Sequence, residues 1–159
     1  MSGDLQDKYV KRAEVNLVQF INKVDLAFTT RIPLAVMIAM GIKQWENRAA
    51  MPEPPKGRCA MTCSKSSDER EYINFLAWAK RAFKSEMYAA LPTWEQVECW
   101  RGKLVAFCDY EASYTAPNPP VWNEDYPVWW HLSNVRLLDE PIPCRGNVGM
   151  WRLPENLKF

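Results

Sequence analysis

Apolar residues near the start of the chain recur at Tyr9, Ala13, Leu17, Ile21 and Val24, with lysines and acids between them. Spacings of three and four residues place such side chains on one stripe of a helix. The pattern predicts an amphipathic N-terminal helix over about Asp4–Val24. That helix either packs over a core or offers its stripe to a protein partner. The segment LAFTT, Leu26–Thr30, is short, apolar and β-prone, and predicts a strand. Pro33 then stands where the first residue of a helix is favoured, and PLAVMIAM is apolar almost all round. Gly41 ends this helix, since glycine takes up the left-handed cap conformation without a steric penalty. The chain leaves it as IKQWENRAA, which continues as a strand.

MPEPPKG reads as a proline-stiffened loop and RCAMTCS, Arg58–Ser64, as a central strand. Ser66 with Glu69 forms a capping-box pattern that opens a second long helix. Its buried stripe is Tyr72, Phe75, Leu76, Ala79, Phe83 and Met87. Thr93 with Gln96 repeats the capping signal for a short helix, WEQVECW. KLVAFCDY, Lys103–Tyr110, is apolar on both faces and predicts an interior strand. The polar, proline-bearing TAPNPPVWNEDYP is a long loop, a kind that is either functional or mobile. VWWHLSNVRLL and VGMWRL predict two further strands. Five or six strands and about four helices, with no regular βαβ crossovers, predict an α+β protein built on a mixed β-barrel.

Composition adds limits. A chain of 159 residues with 48% hydrophobic and 25% charged residues reads as one globular domain. The formal net charge of +1 gives no global basic field, so any nucleic-acid binding needs a local patch. The single His rules out a histidine-rich metal site, and the odd count of 5 Cys suggests reduced thiols in a cytosolic protein. Cys59 and Cys63 on one strand would stand roughly 13 Å apart, too far for one metal ion. No metal and no cofactor are expected. The start MSGDLQDKYVKR lacks the apolar core of a signal peptide, and no run approaches the roughly 20 apolar residues of a membrane span. A soluble, cytoplasmic protein is the expectation.

The densest chemistry is GIKQWENR, Gly41–Arg48. On a strand, Gln44, Glu46 and Arg48 point to one face and Lys43, Trp45 and Asn47 to the other. A barrel strand buries one face, so one of the two sets must line an enclosed space or a cleft. Buried charges persist when paired and hydrogen-bonded, which alternating Glu46 and Arg48 allow. The alternative is that Glu46 and Arg48 form a mutual strut, with Lys43 solvated beside a helix C-terminus that favours a cation.

TTRIPLAVMIAMGIKQWENRAAMPEPPKGRCAMTCSK resembles the opening of the ASCH domain (activating signal cointegrator homology), in the PUA-like superfamily. The shared features are a strand, a proline-led helix, G-x-K-x-x-E-x-R at Gly41, Lys43, Glu46 and Arg48, then a glycine before a strand ending in Ser-Lys. The tail WWHLSNVRLLDEPIPCRGNVGMW is similar to the family's closing segment. The likeness covers about residues 26–153, so the chain divides into an N-terminal helical extension, 1–25, and an ASCH domain, 26–159. The resemblance implies a barrel with flanking helices and a charged cleft that receives RNA or a modified nucleoside. Lys43, Glu46 and Arg48 match residues lining that cleft, Ser64 and Lys65 match the Ser-Lys after the next strand, and Arg31 matches a residue at the mouth. Ile32 and Leu34 depart from the polar and aromatic residues that many members carry around the proline. Members that hydrolyse acetylcytidine have a threonine three residues after the lysine; this chain has Glu46.

Two uses of these residues follow. In a binding protein, Arg and Lys hold phosphates or base edges, Glu46 accepts from a base amine, and Trp45 or Trp122 stacks. In a hydrolase acting on RNA or a nucleoside, Lys43 and Glu46 would be the catalytic pair. Nucleic-acid binding demands less of the site and is the expected function, with RNA or a modified base as the partner. Trp129 and Trp130 are further candidates for stacking and His131 for a functional role, with packing the favoured reading for all three, and Trp151 reads as core.

Overall fold

The computed structural model describes residues 24–48, 56–115 and 128–157. The predicted N-terminal helix, most of the MPEPPKG loop and the loop carrying Trp122 lie outside the described residues. The strands are β1 (Leu26–Thr30), β2 (Trp45–Arg48), β3 (Gly57–Cys63), β4 (Lys103–Thr115), β5 (Val128–Pro143) and β6 (Met150–Arg152). The helices are α1 (Ile32–Ala39), α2 (Glu69–Ala82), α3 (Ser85–Ala89) and α4 (Trp94–Val97), the last running into a short, tighter turn of helix. All six strands join one sheet in the order β2-β5-β4-β3-β1-β6. β1 and β3 run parallel, and the remaining pairs are antiparallel. The fold is α+β, with the mixed sheet curled into a half-barrel.

The curl has a local origin. Register shifts interrupt the β4–β5 ladder at Leu104/Ala106, Phe107/Asp109 and Tyr110/Ala112, and the β3–β4 ladder at Met61/Thr62. An extra residue on one strand bends it and adds twist. Asn134, with φ of 50°, lies beside this irregular stretch, where its amide donates to Asp109 Oδ2 at 3.1 Å. The bending brings edge strand β2 round towards β1, and Arg48 Nη2 donates to the Thr29 carbonyl at 3.0 Å. Where a closed barrel would carry a ladder, a side chain reaches a main-chain oxygen.

α1 packs against β3, β5 and α2, and all eight of its residues are buried. Being enclosed explains why its sequence is apolar on every side. The helix begins at Ile32, one residue before the position expected from Pro33. Arg31 gives it no side-chain cap; instead Ser67 Oγ, on the turn after β3, accepts from Ile32 N at 3.0 Å. At the other end Gly41 takes φ of 72°, as expected. Gly41 N donates to the Ile38 carbonyl and Ile42 N to that of Met37, a Schellman ending.

α2 differs from expectation at both ends. Its N-cap is Asp68, whose carboxylate accepts from Glu71 N at 2.8 Å, not Ser66. A carboxylate there also meets the positive end of the helix dipole, an advantage serine lacks. The stripe holds at Tyr72, Phe75 and Ala79, which are buried, with Leu76 and Phe83 packed beside them. The chain turns extended at Phe83, so Met87 belongs to α3. The capping box of Thr93 and Gln96 forms as expected.

Alternation along the central strands divides the core in two. Phe28, Met61 and Cys63 face the helices with Phe75 and Trp130, whereas Ala27, Ala60 and Phe107 form a smaller cluster on the other face. No helix among the described residues is long and apolar enough to cross a membrane.

Candidate functional site

Parallel strands end on the same side of a sheet, so the chain leaves β1 and β3 together. Ser64 N donates to the Thr30 carbonyl at 2.8 Å, which ties the two exits. Gly102, just before β4, donates to the Cys63 carbonyl at 3.0 Å, and Cys144 N, just after β5, donates to the Gly102 carbonyl at 3.1 Å. Four chain segments therefore converge at one end of the half-barrel. Between them lies a cleft of about 1060 Å³.

Among the described residues, those lining this cleft include Arg31, Arg48, Lys65 and Arg145 but no aspartate or glutamate. A chain whose net charge is only +1 thus gathers four cations on one surface. Two of the four are balanced from outside the lining. Arg31 Nε meets Glu71 Oε1 at 2.5 Å, and Arg48 Nη2 meets Glu46 Oε1 at 3.0 Å. Arg48 also lies over the Trp130 ring, 4.9 Å from its centroid. Lys65 and Arg145 are exposed and form no ion pair among the described residues.

The loop carrying Arg145 is held by Thr29. Thr29 Oγ1 lies 3.0 Å from Asn147 N, 3.2 Å from Trp151 Nε1 and 2.9 Å from Thr62 Oγ1. Gly146 packs so closely on this hydroxyl that a Cβ there would stand 2.5 Å from it. On the opposite wall, Ser64 Oγ and Ser66 Oγ are 2.7 Å apart, and Arg31 reaches Ser66 Oγ at 3.4 Å.

Of the residues singled out from sequence, Arg31, Arg48, Ser64 and Lys65 come together in the cleft. Lys43 and Glu46 do not line it. Glu46 is buried behind Arg48, and Lys43 is buried with its ammonium donating to Asn47. The alternation expected of β2 is kept, but both faces are covered, so the strut and the cleft share Arg48. Trp45 lies against Trp129 and His131, with ring centroids 5.8 and 4.7 Å away. Trp122 falls outside the described residues. Sequence reading missed Thr29, Thr30, Arg145 and Asn147. Their signals were faint: two threonines closing an apolar strand, and a glycine set between Arg145 and Asn147.

Four of the five cysteines are buried, and Cys99 is exposed. Cys59 and Cys108 are cross-strand partners with their sulfurs 3.5 Å apart. The hydrogen bond it shares with Cys59, followed by burial, pushes the Cys108 thiol up, and burial above all raises Cys63. Such thiols stay protonated at neutral pH and are poor nucleophiles. Among the described residues no group of His, Cys, Asp and Glu is arranged to hold a metal ion. The chain matches no known family when compared with protein-family models, and no curated protein matches it.

Proposed function

We propose that the protein binds RNA, or a modified nucleotide within it, in the cleft at the end of β1 and β3, as a PUA-like protein of the ASCH type. The observation that carries this reading is four cations and, among the described residues, no carboxylate on one concave surface of a nearly neutral chain. Clustered Lys and Arg bind a polyphosphate backbone by releasing its counterions. The hydrolase alternative rests on Lys43 and Glu46, which are buried and outside the cleft lining, so binding without turnover is the better-supported activity.

The test is titration of labelled single-stranded RNA at two salt concentrations. Affinity should fall as salt rises. Lys65→Ala and Arg145→Ala should each flatten the log–log salt slope by about 0.7, the contribution of one phosphate contact to a single strand. Salt-independent binding, or slopes unchanged in both variants, would refute the reading. Cleaved or deacylated product from the same RNA would favour the hydrolase.

A further inference from the structure

The four cations of the cleft are of two kinds. Arg31 and Arg48 are neutralised by Glu71 and Glu46, whereas Lys65 and Arg145 are exposed and have no ion pair among the described residues. A neutralised guanidinium keeps its directional N–H groups but carries little net field, which suits an uncharged acceptor better than an anion. Solvated, unbalanced cations suit phosphate.

A second observation concerns donors. Thr30 is 5% exposed and Arg48 lies deeper than the other cleft cations, and both border the cleft. Thr30 Oγ1 and Arg48 Nε are shielded from solvent and have no hydrogen-bond partner among the described residues. Both can donate, and a buried donor left without an acceptor is unfavourable. A threonine turns about one bond, so its hydroxyl can swing onto an acceptor that arrives from the cleft. At the rim, Val148 is 84% exposed, an apolar surface beside the charges on which a flat ring or sugar can rest.

Resting on the nucleic-acid reading, the geometry points to a nucleotide that enters base first, with a nucleobase carbonyl against Thr30 and Arg48 and its phosphate at Lys65 and Arg145. A cleft of about 1060 Å³ has room for a nucleotide, since pockets of roughly 300–1,000 Å³ hold drug-sized ligands. Uracil, cytosine, guanine and hypoxanthine carry a carbonyl oxygen; adenine does not, and presents an amine in its place. The site therefore selects against adenine.

Adenosine and inosine 5′-monophosphates differ only at C6, amine against carbonyl, and at the adjoining N1, which carries a proton in inosine, and make the cleanest comparison. Titrated calorimetrically into the full chain beside the uridine and cytidine monophosphates, adenosine monophosphate should bind at least about tenfold more weakly than the other three. Thr30→Val should shrink that ratio while leaving Tm unchanged or higher, since it removes an unsatisfied buried hydroxyl. Lys65→Ala combined with Arg145→Ala should weaken all four nucleotides alike. RNA binding with no preference among the monophosphates, or a ratio untouched by Thr30→Val, overturns the inference and leaves the nucleic-acid reading standing. Failure of any RNA to bind removes both.

Discussion

The hydroxyl of Thr29 can donate one hydrogen bond and accept two, and all three places are taken. Thr62 Oγ1 donates its proton to the Phe28 carbonyl at 3.1 Å, so in the pair of threonines Thr29 is the donor. Its two lone pairs then receive Asn147 N and Trp151 Nε1. Thr29→Val keeps the shape and removes all three bonds, leaving partly buried donors unmet. A loss of about 1–3 kcal/mol is expected, measured by chemical denaturation. RNA affinity should fall too, since the loop that presents Arg145 is fastened there; a variant as stable as the parent would contradict this account. The Glu46–Arg48 pair was legible in the sequence because alternation alone puts both on one face. The fate of Lys43 was not. On a strand, Lys43 and Asn47 would stand about 13 Å apart. Lys43 instead precedes β2, which starts at Trp45, and its long side chain folds back to Asn47.

At the scale of elements, hydrophobic period and punctuation locate every described strand and helix except the short α3, which the periodicity merges with the end of α2. They misplaced the ends. The α2 cap shows why: Ser66, Ser67 and Asp68 are all competent N-cap residues, and tertiary contacts decide among them. Ser66 is taken up by Ser64 and Arg31, Ser67 turns inward to cap α1, and Asp68 remains for α2. Asp68→Ala should therefore destabilise by about 1 kcal/mol and Ser66→Ala by distinctly less. Thermal melts of the two variants compare them directly, and equal effects would return the cap to Ser66. β4 and β5 ran past their predicted ends for a different reason. Polar residues such as Glu111, Ser113, Asp139 and Glu140 break the apolar pattern, yet each strand supports the other through the bulged ladder. Pro141 and Pro143 fall where β5 has outrun β2 and is itself an edge, the place a sheet tolerates proline.

Taken whole, the molecule encloses several groups that ionise only with difficulty. Burial pushes up the thiols of Cys63 and Cys144 and the phenol of Tyr72, and the Cys59 hydrogen bond with burial raises Cys108. In the unfolded chain thiols lose their protons from about pH 8.5. The folded form holds its protons longer, so its stability is complete below that pH and declines as pH rises through it. Under reducing conditions Tm should be level from neutral pH to about 8 and then fall. A Tm level through about pH 10 would contradict the buried protonated thiols.

The contact between Arg48 and the Thr29 carbonyl has a mechanical meaning. A hydrogen-bonded ladder shares an opening load among many bonds, whereas a guanidinium resting on a carbonyl yields in a single step. Along the line where Arg48 meets Thr29, the curled sheet is therefore compliant. Its radius, and the aperture at the end of β1, respond to small forces there. Arg48 is both the fastening of that line and a wall of the cleft. A guest that grips Arg48 tightens the sheet from within its own berth.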